Sequence, residues 1–230
     1  MPIVFMKGSI ADLRVLSRSR VNCTGFLRSG LIDWTTIASF IQDMSSLAPG
    51  LLVAAPPLGD PNFDRSVVLL ATHGPEGAFG WVINGRELMS LSDLLVRADV
   101  TNTPPDLRGV VRVGGPVSQE QIWLVYRIQD RFDEIDGQFD VGTQILATAS
   151  RRVLEALGDG RTRGRVVGLA GYAGWAPSQL ENEIRQGAWL PTDIDPAVVF
   201  DVPAEEVWQR AYALVGATPM SFTTRTVGLA

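Results

Sequence analysis

The feature that most constrains this chain is the shortness of the links between its first three apolar runs. Residues 51–55, 67–71 and 79–83 are each rich in Leu, Val, Ile, Phe or Trp. The first two are separated by 56–66 and the next two by 72–78, a link that carries Gly74, Pro75 and Gly77. Parallel neighbours need a crossover of about a dozen residues or more, normally a helix, so these runs are expected to form an antiparallel meander. Further short runs at 110–113, 122–126, 166–170 and 197–200 are bounded by Gly, Pro, Asp or Asn and also read as buried strands.

Helices enter later, with their own punctuation. Ser90 followed by Asp93 makes a capping box for a helix turning Leu94, Leu95 and Ala98 inward. Ser150 or Thr148 opens a second, with Val153, Leu154 and Leu157 on one face and Gly158 as its stop. Pro177 suits the first turn of a third, in which Leu180 and Ile184 share a face before Gly187. Pro203 opens a fourth, with Val207, Ala211 and Leu214 inward and Gly216 behind. A strand meander followed by interspersed helices predicts an α+β fold with a mixed sheet and about four helices, built around a single core.

Composition narrows the function classes. The chain has 230 residues and is 46% apolar, enough for one domain that folds without a disulfide or metal. Its apolar runs are far shorter than the roughly 20 residues needed to cross a bilayer, so no membrane association is expected. Cys23 is the only cysteine and His73 the only histidine, which excludes a Cys-rich zinc site, a CxxC redox pair and a multi-histidine metal centre. Such cysteine usage fits a reducing, cytoplasmic home. The net charge of −5 opposes a long phosphate backbone, and Lys7 is the sole lysine, so nearly every cation is a guanidinium.

Residues 1–43 differ from the rest. They contain five basic and three acidic groups and lack strand-like alternation, although Trp34, Ile37, Phe40, Ile41 and Met44 fall at helical spacing behind Asp33. We read 1–43 as an N-terminal extension, either a disordered lead-in or an over-long start preceding Met44. The domain proper is placed at 44–216, and 217–230 as a fraying tail.

Three segments carry a resemblance: LLVAAPPLGDPNFDRSVVLLATHGPEGAFGWVIN at 51–84, VRVGGPVS at 111–118, and GLAGYAGWAPSQLENEIRQGAWL at 168–190. In order and spacing the chain resembles the YqgE/AlgH family, an uncharacterised bacterial group, over about 47–216. The resemblance implies a strongly bent, bifurcated sheet folded into a pseudo-barrel with helices outside. It also implies a regulatory role acting indirectly on transcription, because some members are associated with alginate regulation. One departure is local: family members commonly follow the asparagine of the third strand with a basic residue and proline, where this chain has Asn84, Gly85 and Arg86.

The candidate site residues are Asp60, Asn62, Arg65, His73, Asn84, Gly115, Tyr172 and Trp175, which fall at strand ends and glycine turns. Arg65 can fork onto an anion with Asp60 and Asn62 beside it, or the group can be an ordinary turn with a local ion pair. His73 is positioned for proton transfer or for a backbone hydrogen bond, and Ser66 lacks the elbow motif that would make it a nucleophile. Gly114 and Gly115 can present N–H groups to an anion or serve a tight sheet corner. Tyr172 and Trp175, among Gly168, Gly171 and Gly174, can wall a site or pack in the core. No GxGxxG or GK[ST] pattern is present, so no cofactor is expected.

The leading expectation is a non-catalytic binding or regulatory module taking a small anionic ligand or a protein partner, with the eight residues converging on one mouth. The first alternative is an enzyme acting on a small anion through Arg65, with His73 or Asp60 moving a proton. The second is direct nucleic-acid binding through the basic cluster of Arg151, Arg152, Arg161, Arg163 and Arg165, which no recognised DNA- or RNA-binding motif accompanies.

Overall fold

The computed structural model describes residues 47–56, 58–100, 104, 107–161 and 164–216. The N-terminal extension, the C-terminal tail, Cys23 and Arg163 therefore lie outside the described residues. The strands are β1 (Gly50–Ala54), β2 (Val67–Gly74), β3 (Gly77–Val82), β4 (Glu87–Ser90), β5 (Gly109–Val113), β6 (Val117–Arg127), β7 (Gln138–Val141), β8 (Ile145–Thr148), β9 (Val166–Trp175) and β10 (Trp189–Thr192). The helices are α1 (Leu91–Arg97), α2 (Arg151–Gly158), α3 (Gln179–Arg185), α4 (Pro196–Phe200) and α5 (Ala204–Leu214).

Strands β1, β2 and β3 form the antiparallel meander that their short links require. The sheet runs β10-β1-β2-β3-β9-β6-β8-β7, and β4–β5 branches from it onto β9. That branch is the bifurcation. β5 lies parallel to the first half of β9, β3 lies antiparallel to its last three residues, and β6 holds the opposite edge. Where the three strands meet, Gly114 donates to the Ala170 carbonyl at 2.7 Å and accepts from the Val82 amide at 2.8 Å. The strong curl brings the β7–β8 turn back toward the other end of the sheet, so that a Cβ at Gly142 would lie 3.5 Å from Ile194 Cδ1 and 3.6 Å from Pro49 Cγ. The result is a half-barrel.

Both faces of this wall are covered. On the concave face Leu51, Val53, Val67, Leu69, Trp81, Trp123 and Leu169 pack with Val198, Val199 and Phe200 of α4 and Val207, Ala211 and Tyr212 of α5. On the convex face Leu52, Ala54, Val68 and Leu70 meet Leu180 and Ile184 of α3. Farther along that face Val111, Leu124, Tyr126 and Leu146 meet Leu91, Leu94 and Leu95 of α1 and Val153, Leu154 and Leu157 of α2. Three apolar clusters thus replace the single interior expected. Burial on both sides also explains why the strands are continuously apolar instead of alternating. Each fully buried Leu or Val contributes about 1.5–3 kcal/mol relative to exposure.

The helix punctuation holds at α1. Ser90 Oγ accepts from the Asp93 amide at 3.0 Å, and the Asp93 carboxylate accepts from the Ser90 hydroxyl at 2.7 Å and from its amide at 3.3 Å. Those Ser90 bonds hold the Asp93 carboxyl below the usual carboxylate range. Elsewhere the structure corrects the reading. Residues 197–200 are helical, not a strand, because Asp195 caps the Ala197 amide at 2.9 Å and Pro196 presets the first turn. These local signals outweigh the β preference of Val198 and Val199, and α4 makes the described helices five. Pro177 precedes α3, whose N-cap is Ser178 in the left-handed region. Leu214 is 37% exposed, since α5 turns Tyr212 inward instead. Strands β4, β7, β8 and β10 have only four residues each, too few for a periodic signal.

Candidate functional site

Arg65 stands in the loop that leads into β2, with its backbone at φ 50°. A non-glycine residue reaches this region only when neighbours hold it there. Asn84, just beyond β3, does so: its Nδ2 donates to the Arg65 carbonyl at 2.9 Å and its Oδ1 accepts from the Val67 amide at 2.8 Å. The exposed Arg65 guanidinium lies 5.7 Å from the centroid of Trp208 on α5. Trp208 is itself fixed, donating from Nε1 to the Ala54 carbonyl at 2.8 Å. No carboxylate among the described residues forms an ion pair with Arg65. Strain and an unneutralised cation therefore coincide at one residue.

The neighbouring polar residues of the loop are engaged with one another. Asp60 Oδ1 accepts from the Asn62 amide at 2.8 Å and from its side chain at 2.9 Å, an Asx turn on the surface. This turn leads into Phe63, which packs 6.4 Å from Trp175 and 5.4 Å from Trp189. Ser66 Oγ is buried without a hydrogen-bond partner.

His73 lies elsewhere. A period of two along β2 would put it on the concave face with Val67 and Leu69, but the register shifts between Leu70 and Thr72 and the ring turns outward beside α3. There Nε2 is 3.1 Å from Glu181 Oε1, and Nδ1 accepts from the Leu47 amide at 3.0 Å. Because an amide can only donate, Nδ1 carries no proton and Nε2–H is the donor to Glu181. Ser66 and His73 do not form a nucleophile–base pair.

Tyr172 and Trp175 lie on opposite sides of the sheet. Tyr172 packs on the concave face, 4.9 Å from Phe79. Trp175 is in the convex cluster and donates from Nε1 to Glu183 Oε2 at 2.9 Å, which also accepts from Trp189 Nε1 at 2.8 Å. Glu181 and Glu183 therefore serve different partners. Gly115 is a close-approach position: a Cβ there would sit 2.1 Å from the Tyr172 carbonyl carbon. Of the eight residues, the structure brings together Arg65 with Asn84, Asp60 with Asn62, and Gly115 with the Tyr172 backbone. Sequence reasoning missed Trp208, Glu181, and the deep pair Trp81 and Trp123, for which no local signal exists because their partners are remote in the chain.

The basic cluster is largely tied down. Arg151 pairs with Glu155 at 3.2 Å, Arg161 pairs with Glu134 and lies over Phe132, and Arg165 donates to the Phe200 carbonyl. Among the described residues no three His, Cys, Asp or Glu side chains gather as a metal site, and no helix is long and apolar enough to cross a membrane.

A family model described as AlgH-like matches residues 51–220. The chain belongs to the AlgH-like family. Among its relatives, a UPF0301 protein of Anaeromyxobacter sp. strain K is 41% identical over 186 residues, covering 77% of this chain and 92% of the relative. The solution structure of the AlgH protein from Pseudomonas aeruginosa is similar with a TM-score of 0.63 and 31% identity, covering 81% of this chain and 97% of that one. A crystal structure of a Corynebacterium diphtheriae protein is similar with a TM-score of 0.60 and 25% identity, over 76% and 92% of the two chains. The half-barrel with its branched sheet is thus an AlgH-like fold, and the Arg65 loop falls inside the matched region.

Proposed function

We propose that this AlgH-like protein is a non-catalytic, cytoplasmic binding module that recognises an anionic group, on a small ligand or a partner protein, through Arg65. The observation that carries the reading is the unpaired guanidinium of Arg65, seated over Trp208 on a strained backbone that Asn84 pins. An indole beneath a guanidinium restrains its plane while leaving N–H edges free to fork onto a carboxylate or phosphate. A regulatory role, indirect in its effect on transcription, would follow from occupancy of this site. The other reading, an enzyme acting on a small anion, requires His73 or Asp60 beside that anion. It is less favoured, because His73 is engaged by Leu47 and Glu181, and Asp60 by Asn62. Nucleic-acid binding is disfavoured by the partners of Arg151, Arg161 and Arg165.

A thermal-shift screen of anionic metabolites against the full chain and Arg65→Ala tests the proposal. A compound that stabilises the parent, leaves Arg65→Ala unmoved and is recovered chemically unchanged supports it. Equal stabilisation of both proteins would refute the Arg65 site, and conversion of the compound would turn the reading to an enzyme.

A further inference from the structure

A second site is indicated on the concave face. Five rings meet there: Trp81 lies 4.9 Å from Phe79, 5.2 Å from Trp123 and 6.2 Å from Phe139, and Tyr172 lies 4.9 Å from Phe79. Trp81 and Trp123 are deep, at 0% and 5% exposure, while Phe79, Phe139 and Tyr172 are half-buried and face the opening. Both deep indole Nε1 atoms are buried without a hydrogen-bond partner among the described residues. Buried donors in folded proteins are overwhelmingly paired, and an orphan calls for a reason. The other indoles of the described fold follow the rule: Trp175 and Trp189 donate to Glu183, and Trp208 donates to Ala54. Two neighbouring exceptions in one aromatic cluster are a local property of this face.

We infer that the aromatic cluster on the concave face binds a neutral, largely apolar molecule whose carbonyl oxygen accepts from Trp81 Nε1 and Trp123 Nε1. The chemistry selects this class. A carbonyl oxygen has two lone pairs and can serve two donors at once. The five rings supply apolar contact for the body of the ligand, which is how small-molecule sites combine a large apolar lining with a few polar anchors. A carboxylate is disfavoured, because an ion in such surroundings needs a countercharge. The guanidinium–ring contacts of the described residues fall on Trp208, Phe200 and Phe132, none of which belongs to the cluster. This site is separate in composition from the Arg65 site and does not depend on it.

The test is a matched series with one apolar body: 2-acetylnaphthalene, 2-naphthoate and 2-ethylnaphthalene, titrated into the full-length protein by calorimetry and by indole ¹H–¹⁵N resonances. The Trp81 and Trp123 resonances are assigned from through-space contacts to Phe79 and Phe139. The expected result is that 2-acetylnaphthalene binds at least about fivefold tighter than either companion, as one or two added hydrogen bonds require. Both indole protons should shift downfield on binding. Trp81→Phe and Trp123→Phe should each reduce the preference for the ketone over the hydrocarbon, and Arg65→Ala should leave it unchanged. Equal affinity for the three compounds, no binding, or binding without movement of the two indole resonances would overturn the assignment, and because the titration of the parent protein reads this directly, a variant that fails to fold does not blunt it.

Discussion

Asn84 holds Arg65 in a left-handed backbone conformation by donating to its carbonyl at 2.9 Å while accepting from the Val67 amide at 2.8 Å. One carboxamide thereby joins the end of β3 to the entry of β2 and sets where the Arg65 side chain starts. Asn84→Ala removes both bonds and leaves the Val67 amide, on a fully buried residue, without its acceptor. The expected loss is about 1–3 kcal/mol, measured as a lowered denaturant midpoint with an unchanged slope.

Arg65→Gly separates stability from binding. Glycine occupies the left-handed region without the Cβ penalty, so relief of strain should stabilise the fold by up to about 1–2 kcal/mol, less what is lost from the guanidinium–indole contact. The variant should nevertheless lose the anion response expected of the parent protein. Unfolding curves and ligand thermal shifts measured on the same preparation check both halves.

Glu183 satisfies two indoles at once, Trp175 and Trp189, through a single oxygen. Glu183→Leu strands both donors and should cost roughly 2–4 kcal/mol, whereas Glu183→Gln keeps an acceptor oxygen and should cost distinctly less. Chemical denaturation of the pair decides it, and equal losses would mean that the indoles find other acceptors.

Gly115→Ala tests the branch point of the sheet. The added methyl would lie 2.1 Å from the Tyr172 carbonyl carbon, backbone that cannot rotate away as a side chain would. The strands must separate locally, with an expected loss of at least about 1–3 kcal/mol and faster hydrogen exchange at Gly114 and in β9. An unchanged midpoint would show that the branch is looser than its geometry indicates.

Alkaline pH should weaken the fold through two tyrosines. Burial pushes the hydroxyls of Tyr126 and Tyr212 well above the usual tyrosine value, with Asp130 adding to the effect at Tyr126 and Arg131 opposing it. A raised folded-state value means that the native protein keeps protons which the unfolded chain surrenders, so their contribution is intact below about pH 10 and declines as pH rises beyond it. Melting temperatures recorded from about pH 8 to 11 should fall most steeply at the alkaline end. Tyr126→Phe should flatten that fall, even though it loses the 2.7 Å bond to Gln138.

Much of the fold was legible because the relevant physics is local. The links at 56–66 and 72–78 are too short for crossovers, which dictated the meander, and Ser90 with Asp93 announced α1 within four residues. Local signals misled where two competed: the β-branched pair at 198–199 read as a strand, although Asp195 and Pro196 already marked a helix start. The candidate site was legible only as a set of positions. Asp60 and Asn62 formed the turn their chemistry implies, and Arg65 emerged as the exposed cation.

What the sequence by itself determined was the family, the antiparallel start and most helix positions, since these depend on neighbours along the chain and on spacing. Only the tertiary structure decided which faces the functional side chains occupy. The irregularity after Leu70 turns His73 away from the concave side, and alternation along β9 parts Tyr172 from Trp175. The approach of α5 places Trp208 under Arg65, and the curl of the sheet gathers Trp81 and Trp123 from separate strands. A strand's side chains reverse sides with a single residue of slippage, and the partner across a curled sheet is set by the closure of the whole wall, which no local stretch of residues encodes.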